Sequence, residues 1–342
     1  MNSFQKLLSI QSRRCFHSSS HRLARQETNI MNVFDRRAKA LQRERAAIRE
    51  DVESFDYLKE ELGYRLADRV LDITREMDIC LDIGCGRGYV TRHLTGRSIK
   101  KLKCCEMSRT MLEQCQLPDE IENVECEKIN FDEDNRALPF EDESINIVTS
   151  SLSAHWVNNL PGLFKEVTRI LKKDGVFIGS MFGGDTLYEL RGSLQLAELE
   201  REGGFASHVS PFVQAQDLGS LLNRSGFNML TLDTDEITIR VPTIMQLLRD
   251  LKGMAENNAA WSRKIRINKD TLLAANAIYS NLYGYEEDEK LVLPATFQVY
   301  FWIGWKPHPN QPKALNPQES DVSLKDLYKL DEVLKRKDDN KD

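Results

Sequence analysis

With 342 residues, 41% hydrophobic and 29% charged, the chain can bury a full core as one large domain or as one domain with appendages. Its longest apolar run, "VYFWIGW", falls far short of the roughly eighteen residues a membrane-spanning helix needs, so any membrane association is expected to be peripheral. The formal charge of −6 disfavours nucleic acid, and seven scattered cysteines without C-x-x-C spacing exclude a disulfide framework or zinc knuckle and point to a reducing compartment.

Residues 1–26, "MNSFQKLLSIQSRRCFHSSSHRLARQ", hold Lys6, Arg13, Arg14, Arg22 and Arg25, several serines and no acidic residue. Phe4, Leu7 and Leu8 recur at helical spacing with arginines on other faces, the pattern of a mitochondrial transit peptide. Loss of these five positive groups takes the net charge from −6 to −11. Residues 27–62 follow as a helical lead. There "VFDRRAKALQRERAAIREDV" mixes Arg and Glu at three- and four-residue spacings with few apolar positions, which reads as a solvated helix face.

From Leu62 the pattern changes. "LGYRLADRVLDI" sets Leu62, Leu66, Val70 and Ile73 on one helical stripe, and "DICLDIG" is a short strand running into glycine. Gly84, Gly86 and Gly88 lack a Cβ, so the backbone can turn sharply and a ligand can approach it closely; "YVTRHLTG" is predicted to start a helix whose amides face that ligand. A dinucleotide fold would want its third glycine where Tyr89 stands, and the Gly-Lys-Ser/Thr of a P-loop is missing. "KLKCCEMSRTML" reads as a second strand ending at Glu106, 22 residues after Gly84, then a helix opened by Ser108. An acidic side chain at that strand end can accept hydrogen bonds from both hydroxyls of a ribose. "INIVTSSLS" is a further strand, and "LFKEVTRILKKDGVFIGSMF" is a helix, turn and strand. "MLTLDTDEITIRVP" and "PATFQVYFWIGWKP" supply late strands among helical insertions around 185–225 and 243–285, and 307–342 is expected to be a flexible charged tail.

The G-x-G-x-G loop with Asp82 two residues ahead, Glu106, and the "LPF" of "NFDEDNRALPFEDES" stand in the order of the motifs of the class I S-adenosylmethionine-dependent methyltransferases, which the chain resembles. Its late helices and strands are similar to those of the malonyl-acyl-carrier-protein methyltransferase branch. The resemblance implies an α/β, Rossmann-like fold with a mainly parallel seven-stranded sheet and cap helices over residues 63–306, and S-adenosylmethionine as cofactor. It implies a cofactor site of Asp82, Gly84, Cys85, Gly86, Gly88, Glu106, Met107, Asp134 and Ser150, with Glu106 on the ribose. Asp134 matches the residue that meets the adenine amino group by its spacing from Leu138; the acidic stretch leaves the register open to Asp132.

Over residues 31–306, "SSLSAHWVNNLP", "DGVFIGSMFGGDTLYELRGSLQLAELEREGGF" and "WIGWK" resemble more narrowly a family of mitochondrial complex I assembly factors that are methyltransferase-like protein-arginine hydroxylases. That resemblance implies hydroxylation of an arginine in the iron–sulfur subunit near the quinone site, in company with other assembly factors, by a matrix protein peripheral on the inner membrane. An O-methyltransferase on a carrier-linked or small carboxylate and a non-catalytic assembly chaperone are the alternatives. In a silent chaperone the glycine loop and Glu106 have no evident use.

Hydroxylation calls for activated oxygen, and the His-x-Asp/Glu start of a two-histidine, one-carboxylate iron site is missing, so no metal ligands are assigned. The catalytic residue stays unassigned. His155 and Trp156 follow the fourth strand, where this fold takes its acceptor; His155 can orient or deprotonate it and Trp156 can stack on a guanidinium, or the pair can pack in the core. Asp185 and Arg263, near Tyr188 and Trp261, are further acceptor-side candidates. Asp185 suits either a bidentate arginine contact or a helix N-cap.

Overall fold

Strand and helix alternate through the first half of the chain because each short apolar run ends in glycine or a polar turn and gives way to a stripe of helical period. The computed structural model describes residues 32–75, 77–94, 99–118, 124–134 and 137–312. The expected transit peptide, and the expected tail from 313 onward, lie outside the described residues. The elements in chain order are helices α1 (Arg36–Ala47) and α2 (Tyr57–Leu71), strands β1 (Ile79–Ile83) and β2 (Lys101–Glu106), helix α3 (Arg109–Glu113), strands β3 (Glu125–Asn130) and β4 (Ile145–Ser151), helix α4 (Leu160–Ile170) and strand β5 (Leu171–Phe182). Helices α5 (Tyr188–Glu202) and α6 (Ala215–Arg224), strand β6 (Asn228–Val241), helices α7 (Ile244–Gly253) and α8 (Lys269–Tyr283), and strands β7 (Tyr285–Glu287) and β8 (Lys290–Trp305) complete it.

The strands form one sheet in the order β3-β2-β1-β4-β5-β8-β6. Strands β1 to β5 are parallel, and β8 runs antiparallel between β5 and β6. The eighth strand, one more than expected, is the short β7, folded back on β8 by a turn in which Asp288 and Glu289 take positive φ. Strand order reverses between β1 and β4, so a crevice opens outside their carboxyl ends. In a doubly wound sheet that crevice is the ligand site.

The α2 stripe buries Leu58, Leu62, Leu66 and Val70, and Gly63 lets the helix approach the backbone of Tyr89. Edge strand β6 alternates exposed and covered residues; Asp233 and Asp235 on it pair with Arg69 and Arg65 of α2. Charge along an edge discourages the addition of a further strand. Inside the sheet, Gly179 of β5 lies under Trp302 of β8, and a Cβ there would fall 2.1 Å from the indole ring. Gly179→Ala is therefore expected to lower stability by about 1–3 kcal/mol through overpacking. A urea midpoint equal to that of the native chain would contradict this.

Two expectations are corrected. The segment after the glycine loop is a short 3-10 turn, Thr91–His93, because its side chains are tied down one by one: the Tyr89 hydroxyl donates to Asp56 (2.6 Å) and the Thr91 hydroxyl to the Gln116 carbonyl (2.8 Å). The loop thus leads into a single 3-10 turn rather than the start of a regular helix. The second correction concerns α1, whose Arg36, Lys39 and Arg43 are buried rather than solvated. No helix among the described residues is long and apolar enough to cross a membrane.

Candidate cofactor and acceptor site

The loop after β1 holds Gly84, Gly86 and Gly88 at φ of +71°, +56° and +85°, a region in which side chains are strained. A Cβ on Gly84 would meet the Ser153 hydroxyl at 2.1 Å. The amides of Gly84 and Cys85 donate to the Cys105 carbonyl of β2 (2.8 and 3.0 Å), which fixes the loop against the next strand. The Cys85 side chain turns inward. Its sulfur lies with those of Cys104 and Cys115, all within 4.8 Å of one another, in the core behind the loop.

Glu106 closes β2 and is 1% exposed. Each of its oxygens accepts two hydrogen bonds: Oε1 from Ser108 N (2.9 Å) and Arg43 Nη1 (3.0 Å), Oε2 from Gly86 N (3.1 Å) and Arg43 Nη1 (3.1 Å). The other Arg43 nitrogen donates to Ser153 Oγ (2.9 Å). Burial works against the charged guanidinium, but Glu106 foremost and then Glu133 outweigh it and hold the Arg43 pKa above its ordinary value.

Asp82 lies fully buried in β1, with Oδ1 accepting from Thr149 Oγ1 (2.9 Å) and Oδ2 without a partner. Burial pushes its carboxyl up to about 8. Ser150 Oγ of β4 is likewise buried and unpartnered. A strand-end carboxylate aligned by two amides, and two unmet polar atoms beside a tight glycine loop, fit a ligand that carries a diol and a cationic group, as S-adenosylmethionine does. The positions on Glu106 that a diol would use are held by Arg43.

The acidic stretch after β3 divides its work. Asp134 accepts from Asn158 N (2.9 Å), Asn158 Nδ2 (2.7 Å) and Asn159 N (3.0 Å), anchoring the start of α4. Asp132 accepts from Arg36 Nη2 (2.6 Å), whose other neighbours are Glu133 (3.2 Å), Met107 Sδ (3.8 Å) and, through Nη1, the Trp156 carbonyl (3.0 Å). Glu133, which the sequence gave no reason to single out, is 5% exposed and takes the Ser153 hydroxyl (3.1 Å).

On the acceptor side His155 and Trp156 form a 3-10 turn after β4 and are buried around Glu256. Trp156 Nε1 donates to Glu256 Oε2 (2.9 Å), His155 Nε2 lies 3.3 Å from the same oxygen, and Lys59 Nζ lies 3.0 Å from Oε1. Burial lowers the His155 pKa, and its Nδ1 has no partner. The cation over the Trp156 ring is the chain's own Lys39, 3.2 Å from the centroid, whose Nζ also donates to the carbonyls of Ala255 (2.9 Å) and Asn257 (3.2 Å). Beside this cluster lies a mainly apolar cavity of about 60 Å³, lined by Phe182, Leu190, His208, Phe212, Leu251 and Glu256 among others.

Asp185 and Tyr188 are exposed, and Asp185 meets Gln298 (3.3 Å). The α5 N-cap is Leu187, in a left-handed conformation without a side-chain cap, so Asp185 does not fill that role. Arg263 donates to Asp35 (2.9 Å), the residue that caps α1, and Trp261 is 59% exposed. The structure therefore gathers Glu106, Met107, His155 and Trp156 around α1 and leaves Asp185 and Tyr188 at the surface. Arg36, Lys39, Arg43, Lys59, Glu133 and Glu256 are the residues that sequence reasoning missed. One signal was present, the shared helical face of positions 36, 39 and 43.

A family model described as "Methyltransferase domain" matches residues 81–179. The chain is 48% identical over 304 residues to "Arginine-hydroxylase NDUFAF5, mitochondrial" of Mus musculus, covering 89% of this chain and 86% of that protein. It is 40% identical over 317 residues to the Dictyostelium discoideum protein of the same name, covering 88% and 72%. To the malonyl-[acyl-carrier protein] O-methyltransferase of Nitrosospira multiformis it is 31% identical over 268 residues, covering 74% and 83%. Identity of that degree, along nearly the whole described fold and with the cofactor motifs in place, means that the chain belongs to the mitochondrial arginine-hydroxylase family, built on a methyltransferase domain.

Proposed function

We propose that this chain hydroxylates an arginine side chain of an iron–sulfur subunit of respiratory complex I, near the quinone site, while the complex is being assembled. It works in the mitochondrial matrix beside other assembly factors, peripheral on the inner membrane after its transit peptide has been removed. The reading is carried by its membership of a family whose proteins bear the name arginine-hydroxylase. The cleft has an acidic interior, in which Glu106, Asp132 and Glu133 pair with the guanidinium groups of Arg43 and Arg36 and Glu256 with the ammonium of Lys59.

S-adenosylmethionine is the ligand whose diol and cationic amino acid part match the cradle, and it supplies an electrophilic methyl group in methyltransferases. Asp82, Gly84, Gly86, Gly88, Glu106 and Met107 would hold it, with Ser150 below, Cys85 contributing backbone only, and Asp132 in place of Asp134 nearest the base. The acceptor enters beside His155, Trp156 and the cavity next to Glu256; the reaction calls for dioxygen, one atom of which enters the arginine C–H bond, and for a two-electron reductant that takes the other atom to water. Methyl transfer to a carrier-linked carboxylate is the second reading, favoured by the likeness to an acyl-carrier-protein methyltransferase.

Cells lacking the protein and re-supplied with it provide the test. Peptide mapping of the iron–sulfur subunit is expected to find an arginine bearing one added oxygen only in re-supplied cells. Complex I assembled in full without that oxygen would leave the chaperone reading in its place.

A further inference from the structure

We propose that α1 is a plug seated in the cofactor's own place, so that helix and nucleoside exclude one another. The inference rests on the S-adenosylmethionine reading, and it starts from the lone pairs of Glu106. A carboxylate offers about four acceptor positions. Two of them, taken by the backbone amides of Gly86 and Ser108, align the group with the glycine loop. The remaining two, one on each oxygen, are what the adjacent hydroxyls of a ribose require, and Arg43 Nη1 occupies both. Its Nη2 then reaches Ser153, the residue in contact with Gly84, so one guanidinium bridges the ribose acceptor and the loop.

Two helical turns away, Arg36 fills the neighbouring seat. It touches Met107, Asp132 and Glu133, the residues that flank the strand ends where the base would lie. Lys39 on the same face is fully buried between Trp156 and the carbonyls of Ala255 and Asn257, which pins the first turn of the helix. A face that places cations at positions 36, 39 and 43 inside an acidic cleft gives Glu106, Asp132 and Glu133 charged partners from within the chain. A nucleoside with its own hydrogen-bond donors cannot take Glu106 while Arg43 stays.

Such a plug lowers apparent affinity by the fraction of molecules in which it is withdrawn. With α1 withdrawn in a tenth of molecules or fewer, weakening the plug gains about tenfold or more. The experiment is calorimetric titration of the native chain and of an R36Q/R43Q variant with S-adenosylhomocysteine, and at least about tenfold tighter binding by the variant is expected. Affinity that is unchanged or weaker, or undetectable in a variant that still unfolds cooperatively, overturns the plug. Undetectable binding by both chains sinks the cofactor reading as well, whereas equal binding by both sinks only the plug. Because the double variant can lose its fold, the native chain gives an independent readout: saturating ligand is expected to speed amide hydrogen exchange across 36–47. Slower exchange there would mean that α1 closes over the ligand, and the proposal would fail.

Discussion

Glu256→Ala is expected to lower the unfolding free energy by about 3–5 kcal/mol, because it strands buried charge rather than merely deleting a contact. The carboxylate is 8% exposed and serves Lys59, Trp156 Nε1 and His155 together, with the fully buried Lys39 close by. Burial alone would raise its pKa, but Lys59 first and then His155 and Lys39 hold it well below the usual carboxylate range. A group depressed in the fold contributes stability that is full above its unfolded pKa and is lost as pH falls through the folded value. The native chain should therefore lose stability as pH drops below about 4.5, and Glu256→Ala should flatten that acid limb. Glu256→Gln keeps an acceptor for the indole and is expected to be milder than alanine. Urea denaturation at pH 7 and at pH 4 checks the claim. An alanine variant within about 0.5 kcal/mol of the native chain, the range of ordinary surface changes, would refute it.

The second large effect has the opposite sign in pH. Burial holds the Asp82 carboxyl near 8 in the folded chain, against about 3.9 in an unfolded one. The fold therefore prefers the neutral acid. Stability is intact below the unfolded value and is lost as pH rises between about 4 and 8, by up to about 6 kcal/mol in the limit that no ligand or solvent reaches the group. Asp82→Asn keeps an acceptor for Thr149 Oγ1 and cannot ionise, so its advantage over the native chain should grow from pH 5 to pH 8 and level off above. Parallel stability curves for the two proteins would show that Asp82 does not titrate in that window. A cationic ligand beside Asp82 would bring its pKa back down, so adding S-adenosylmethionine should shrink the difference.

The parts of this account that were legible in the sequence are those with a local cause. Glycines at φ of +56° to +85° leave a spacing that no other residue satisfies cheaply, and Glu106 follows because a strand of fixed rise must end before the helix that Ser108 caps. The parallel run of β1 to β5 follows from the alternation of short apolar runs with helical stripes. The plug and the Glu256 cluster were not legible. A stripe of cations at positions 36, 39 and 43 looks the same whether it faces water or carboxylates, and the partners that decide the matter lie 63 and 96 residues downstream, at Glu106 and Asp132. Asp134 illustrates the same limit at short range: its spacing suits an adenine contact, while its actual donors, Asn158 and Asn159, come from the loop that opens α4. The glycine-loop helix failed because propensity cannot register that the Tyr89 hydroxyl has a buried partner in Asp56.

Oxygen transfer and methyl transfer use the same cradle, so the mass added to the acceptor separates them most directly. Purified chain would be incubated with the recombinant iron–sulfur subunit, S-adenosylmethionine, dioxygen and a reductant, and the subunit's arginine-containing peptides read by tandem mass spectrometry. The account predicts that one arginine gains the mass of a single oxygen atom, and that a Gly86→Arg chain, whose Cβ would fall 2.7 Å from the ring of Tyr89 at a backbone φ of +56°, leaves it unmodified. An arginine or carboxylate that gains the mass of a methylene instead, or an oxygen added equally by native and Gly86→Arg chains, would contradict it.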